Sequence, residues 1–158
     1  MDVTSTLRVR RATAADADTL RDFNVAMAAE TEGVALDAER VGRGVALCLA
    51  DPAKGFYLVA ERGGVAVGQT MVTYEWSDWR AGTFFWIQSV YVRPEARGEG
   101  VFRALYDAVL ADARARDDVA GVRLYVHHDN ARAQRVYDAV GMAAAEYRMY
   151  EVDFVLAR

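Results

Sequence analysis

Cysteine, lysine and histidine are nearly missing from this chain of 158 residues: Cys48, Lys54 and the pair His127 and His128 are all it holds of them. One cysteine excludes an intrachain disulfide and fits a reducing compartment, so a cytoplasmic location is expected. Cys48 lies far from the two histidines, so no zinc-ligand spacing arises and no metal is expected. Long apolar runs are missing too. Val45 to Ala50 is far below the ~20 residues that span a bilayer, and Met1-Asp2-Val3-Thr4 lacks the basic-then-apolar pattern of a secretory leader. No membrane association is expected. Acidic residues outnumber basic ones, 23 to 19, for a net charge of −4. The basic footprint of a nucleic-acid binder is absent. The basic residues are almost all arginine, in a chain rich in Ala, Gly, Asp and Val. That mix reads as coding bias, so an isolated arginine says little about function.

What is present suits one globular domain over residues 1–158, with apolar residues at 53% excluding disorder as the main state. Thr6 to Arg11 alternates like an edge strand. Thr13 and Asp16 resemble an N-cap pattern, with Leu20, Phe23 and Met27 at helical spacing behind it and an end near Glu30. Asp37 caps a second helix that carries Val41, Val45 and Cys48 on one face and stops at Asp51-Pro52. Phe56 to Arg62 is a strand, Gly63-Gly64 a hairpin turn and Val65 to Trp76 the next strand. A loop over Ser77 to Gly82 leads to a long strand, Thr83 to Arg93. After a turn from Pro94 to Gly100, the residues Val101, Phe102, Leu105, Val109 and Leu110 mark a helix of about four turns. Val122, Leu124 and Val126 alternate. Asn130 or Asp129 then caps a helix with Val136, Tyr137 and Val140, closed by Gly141. Tyr147 to Phe154 reads as a final strand.

The chemistry concentrates in two places. Val90 to Phe102 runs strand, tight turn, helix. A helix start leaves N–H groups without backbone partners and carries partial positive charge. Gly98 and Gly100 let the backbone approach an anion closely. Together these make a pyrophosphate cradle. The dinucleotide fingerprint would need a glycine where Arg103 stands, and the Gly-Lys-Ser/Thr of nucleotide-triphosphate loops is missing. The second place is the helix near Asn130. Steps of three, four and seven set Asn130, Ala133 and Tyr137 on one face.

The first segment resembles the acetyl-CoA motif of the GNAT (GCN5-related N-acetyltransferase) superfamily, Arg/Gln-x-x-Gly-x-Gly/Ala, with Arg97 and Gly100 in register and Phe102 at the position usually Gly or Ala. The second resembles the strand-helix that follows it in that family, through Asn130, Ala133, Tyr137, Gly141 and Met142. The resemblance covers nearly the whole chain and is most specific over Trp86 to Met142. It implies an α/β (α+β) fold: a mixed, mostly antiparallel sheet of six to seven strands, helices on both faces, splayed between the fourth and fifth strands. It implies acetyl-CoA as acyl donor, held by the main chain of Arg97, Gly98, Glu99, Gly100, Val101 and Phe102 and by Asn130 and Ala133. Main-chain N–H groups near Val90, Tyr91 and Val92 polarise the thioester carbonyl. Tyr137 becomes the general acid for the leaving thiolate. Dimers are common in the superfamily, so a homodimer is a further expectation.

The acceptor that the resemblance implies is a primary amine of a small molecule or peptide. Many relatives carry Glu at the position of Gln88, which cannot act as a base. Glu75, Asp78 or a water chain could instead take the proton, and the cluster Glu75-Trp76-Ser77-Asp78-Trp79 suits a cationic amine. His127 and His128 read as strand-end residues. Two other readings stand beside transfer: an acyl-CoA-binding sensor or interaction module of the same fold, and an unrelated α/β interaction domain with no affinity for CoA.

Overall fold

A computed structural model describes residues 6–156. By backbone contacts the chain forms two compact units, Met1–Tyr125 and Val126–Arg158. The first holds β1 (Leu7–Arg11), α1 (Ala17–Glu32), α2 (Ala38–Ala50), β2 (Phe56–Arg62), β3 (Val65–Ser77), β4 (Gly82–Val92), α3 (Val101–Arg114) and β5 (Val119–Leu124). The second holds α4 (Ala131–Ala139). Among the described residues no helix is long and apolar enough to cross a membrane.

The helix starts follow from local hydrogen bonding. The Thr13 N–H donates to Asp16 Oδ2 at 2.7 Å, and a short 3-10 turn over Ala14–Asp16 leads into α1. Arg10 grips both oxygens of Asp16 at 2.9 Å, a charge-assisted pair that ties β1 to this turn. Asp37 Oδ1 accepts from the Glu39 N–H at 3.0 Å and starts α2.

One sheet runs in the order β1-β2-β3-β4-β5. Its first three pairings are antiparallel, and β4 pairs with β5 in parallel. A parallel pair needs a long crossover, which α3 supplies. Helices lie on both faces of this sheet. Successive residues of a strand point to opposite sides. A Cβ on Gly68 would come within 3.0 Å of Val101 Cγ1 on α3, whereas its neighbour Gln69 donates through Nε2 to Asn24 Oδ1 on α1 at 3.3 Å. On one side Leu20, Val45, Cys48, Tyr57 and Val59 form a buried cluster. On the other α3 buries Val101, Leu105 and Val109, and truncating Leu105 to alanine costs about 2–5 kcal/mol. Phe102 and Leu110, the other apolar residues that marked this helix in the sequence, are only half-buried. The 3.6-residue period sets them to the flank of the stripe, with Phe102 stacked on Tyr106 at 5.9 Å.

The expected count of six to seven strands is corrected to five among the described residues. Tyr147 to Phe154, expected as a strand, forms none. Alternation makes a segment suitable for a ladder, but the ladder itself needs a partner strand. The strand expected around Val122 to Val126 is shifted as well: β5 begins at Val119 and ends at Leu124.

Candidate functional site

The expected cradle falls on the turn between β4 and α3. Gly98 and Gly100 have φ of 79° and 80°, the left-handed region that disfavours side chains. A Cβ at either position would meet nothing within 4 Å, so the turn faces open space. No side chain caps α3. The first helical bond of this turn runs from the Ala104 N–H to the Gly100 carbonyl at 3.0 Å, so the N–H groups of Val101, Phe102 and Arg103 precede the ladder. Arg97 does not present its guanidinium as a bare cation. Its Nε donates to the Val92 carbonyl at 2.9 Å, and its Nη2 lies 2.6 Å from Glu30 Oε2 on α1. Glu99 pairs with Arg62 of β2. These side chains brace the turn.

Upstream of the turn, β4 changes its neighbours. Met71 pairs with Ser89 and Val72 with Ile87, so Gln88 is the extra residue of a β-bulge. The parallel ladder to β5 ends one step earlier, at Ile87 and Leu124. Val90, Tyr91 and Val92 therefore pair only with β3 within the sheet. Gln88 donates through Nε2 to Thr73 Oγ1 at 3.0 Å and accepts from the Tyr125 hydroxyl at 3.4 Å. Trp86 lies beside Tyr125, with ring centroids 5.9 Å apart, and its indole N–H is buried with no protein partner among the described residues. Below the bulge, Gln69 Nε2 also bonds Ser89 Oγ at 3.3 Å. Burial pushes the nearby Tyr57 hydroxyl up to about 12.

The expected acceptor cluster sits apart from the cradle. Glu75 pairs with Phe84 and Trp76 with Thr83, at the opposite end of β4 from Val92, roughly 30 Å away at the usual rise per residue. Glu75 Oε1 is engaged by Arg123 Nη1 at 2.5 Å, and Asp78 Oδ1 accepts from the Trp79 N–H at 2.8 Å. Trp76 and Trp79 are exposed. Gln88 lies between this cluster and the cradle.

In the second unit, Asn130 is the N-cap of α4, its Oδ1 accepting from the Ala133 N–H at 3.1 Å. At the other end the Gly141 N–H donates to Asp138 O and the Met142 N–H to Tyr137 O, both at 3.0 Å, with Gly141 at φ 88°. This is a Schellman close. Ala133 and Tyr137 are half-buried, and burial raises the Tyr137 hydroxyl above its ordinary value. His127, His128 and Asp129 bring their ligand atoms within 4.8 Å of one another, and all three are exposed.

Sequence reasoning passed over Glu30, Arg123 and Tyr125. Glu30 lies 67 positions from Arg97, and Arg123 lies 48 from Glu75; no local pattern signals such pairs. Tyr125 could have been noticed as the aromatic residue between the strand and Asn130.

The model of the family described as "Acetyltransferase (GNAT) family" matches residues 28–142. A mycothiol acetyltransferase of Corynebacterium aurimucosum is 31% identical over 134 residues, covering 83% of this chain and 44% of that protein. A mycothiol acetyltransferase of Thermobispora bispora is 40% identical over 97 residues, covering 58% and 30%. The chain thus spans less than half the length of these curated relatives. Among solved structures, a possible acetyltransferase from Clostridium difficile 630 matches with a TM-score of 0.88 at 40% identity, covering 95% of this chain and 99% of that one. The aminoglycoside N-acetyltransferase AAC(6')-Iy, in complex with CoA, matches with a TM-score of 0.81 at 14% identity, covering 98% and 99%, a likeness of fold.

Proposed function

Because the chain belongs to the GNAT acetyltransferase family, we propose that it is an N-acetyltransferase that moves an acetyl group from acetyl-CoA to a primary amine of a small molecule or peptide. The observation that carries this reading is the turn at Gly98 and Gly100: left-handed, open, and followed by an uncapped helix. Such a turn suits the pyrophosphate of CoA. Asn130 and Ala133 would flank the pantetheine arm. The donor supplies an activated acyl carbon in thioester linkage.

The chain's own groups then have separate tasks. Main-chain N–H groups over Val90 to Val92 face the developing charge on the carbonyl oxygen. The bulge at Gln88 re-aims this stretch of β4 where it has lost its β5 neighbour. The ammonium first gives a proton to Glu75, Asp78 or a water chain; the neutral amine nitrogen then bonds to the acetyl carbon, the carbon–sulfur bond breaks as the departing thiolate takes a proton from Tyr137, and the proton shed by the acylated nitrogen passes through water to reload Tyr137. A phenol normally holds its proton to pH about 10. Burial raises that value here, so the acid remains loaded throughout the neutral range. Glu75, Trp76 and Asp78, with Gln88 between them and the cradle, form the acceptor end, where carboxylates favour a cationic amine. We place the protein in the cytoplasm, in keeping with its single buried thiol.

Gln88 favours the second reading, a CoA-binding module without transfer, since an amide takes no proton. The experiment that separates the two is thiol release from acetyl-CoA with a panel of amines. In the transferring enzyme, Tyr137→Phe lowers kcat by roughly 10²-fold and leaves acetyl-CoA affinity unchanged. A donor whose thiol has a lower pKa shrinks that defect. A Phe variant with parental kcat would remove Tyr137 from the chemistry.

A further inference from the structure

Among the described residues, three of the four buried polar side chains meet at one place. The fourth, Asp16, is accounted for by its turn and by its pairing with Arg10. The three are Gln69, Thr70 and Ser89, which are 0%, 1% and 8% exposed. A buried strand position ordinarily holds an apolar side chain, because a polar group taken out of water is costly unless it is bonded. Here two neighbours on β3 both bond Ser89. Thr70 Oγ1 donates to the Ser89 carbonyl at 2.9 Å, and Gln69 Nε2 reaches the Ser89 hydroxyl at 3.3 Å. The two grips come from opposite faces of the sheet. Thr70 lies two residues from Gly68 and shares its α3 side, whereas Gln69 faces α1 and bonds Asn24 there.

The clamp sets the direction of the next N–H. The Arg93 N–H bonds the Val67 carbonyl at 2.9 Å, so these two are a hydrogen-bonded pair at the end of the β3–β4 ladder. Antiparallel pairs alternate between bonded and non-bonded. Counting back in steps of two, Tyr91 and Ser89 turn their main-chain groups toward β3, and Val90 and Val92 turn theirs away from it. On that other side the ladder to β5 has ended at Ile87 and Leu124. The Ser89 carbonyl and the Val90 N–H belong to one planar trans peptide and point in opposite directions. Holding the carbonyl therefore fixes the N–H. The bulge at Gln88 disrupts the ladder locally, and the Thr70 hydroxyl anchors the peptide that follows.

We infer that Thr70, supported by Gln69 and Asn24, is a positioning residue for acyl transfer: its hydroxyl holds the Ser89–Val90 peptide so that the Val90 N–H is aimed at the acyl carbonyl oxygen. This assignment rests on the acyl-transfer reading. Thr70 acts through the main chain of Ser89 and not on a substrate. A donor held in place beforehand stabilises the developing charge without reorganising during the reaction.

Two variants of Thr70 separate positioning from packing. Thr70→Val removes the hydroxyl and keeps the size and the β-branch. Thr70→Ser keeps the hydroxyl and loses a buried methyl. Thr70→Val should lower kcat about ten-fold and leave acetyl-CoA affinity within about two-fold. Thr70→Ser should melt at a lower temperature and keep kcat within about two-fold of the parent. A second measurement needs no turnover. The infrared band of an isotope-labelled acetyl carbonyl falls in frequency when an N–H polarises it. In acetyl-CoA bound to Thr70→Val the band should move back toward that of free acetyl-CoA, and in Thr70→Ser it should match the parent. A parental kcat or a parental band in Thr70→Val overturns the positioning role. So does a Thr70→Ser variant as slow as Thr70→Val, which would reduce Thr70 to packing. A parent whose bound acetyl-CoA shows no band shift defeats the polarised-carbonyl reading itself, and the role of Thr70 falls with it. If Thr70→Val does not fold, Thr70→Ala, which also lacks the hydroxyl and cannot overfill the site, is compared with Thr70→Ser on the same criteria.

Discussion

Glu30 and Arg97 are 67 residues apart in the chain, and their side chains meet at 2.6 Å. The contact joins the last turns of α1 to the loop that precedes α3. Arg97 also holds the Val92 carbonyl, and the Tyr91 hydroxyl reaches the other oxygen of Glu30 at 3.4 Å. One carboxylate thus steadies the end of β4 and the start of the glycine turn.

Glu30→Gln should therefore loosen the turn without touching a substrate. The pair is partly exposed, so its worth is about 0.5–1 kcal/mol. Acetyl-CoA affinity should fall about two- to five-fold, with kcat nearly unchanged at saturation. Calorimetric titration checks this. Parental affinity in the variant would make the contact a surface pair only.

Gly100→Val should weaken acetyl-CoA binding on two grounds. A side chain crowds the backbone's approach to the anion. A Cβ here meets no protein atom within 4 Å, but φ at 80° is a conformation that a β-branched residue adopts only at a cost of about 1–3 kcal/mol. Both thermal stability and affinity should drop. An unaltered melting temperature together with unaltered affinity would sink the cradle assignment.

The double change Glu75→Gln, Asp78→Asn addresses the acceptor end. Glu75 is already paired with Arg123, which mutes its field, so KM for a cationic amine should rise only about two- to five-fold. Acetyl-CoA affinity should hold, since the cradle lies at the far end of β4. Steady-state kinetics with both substrates varied gives the answer; an equal KM returns both carboxylates to the surface.

Asp16 governs behaviour in acid. The Arg10 guanidinium holds its carboxyl below the usual carboxylate range. A depressed value means that the pair contributes fully above the unfolded value of about 3.9 and is lost as pH falls through the lower folded value. Asp16→Asn should cost about 1 kcal/mol at neutral pH and flatten the loss of stability below pH about 4. Thermal melts across that range test it; parallel parent and variant curves would refute it.

Much of the local architecture was legible because its causes are local. Asp37 caps α2 as its type suggests, Val45 and Cys48 share a buried face, and Gly141 closes α4. The left-handed turn at Gly98 and Gly100 was legible for the same reason, since glycine at such a turn is a property of single residues. The tail from Tyr147 was misread because alternation describes one chain and a ladder requires two strands.

The sequence by itself determined the helices, their caps, the glycine turn and the family, all of which depend on periodicity and backbone preference over a few residues. Only the tertiary structure decided that Arg97 braces the turn through Glu30, that Gln88 sits on a bulge where β4 parts from β5, and that Arg123 occupies Glu75. Those facts are set by strand register and by contacts across 37 to 67 positions. A one-residue change of register exchanges every side chain between the faces of a sheet, so no short-range pattern in the chain can specify them.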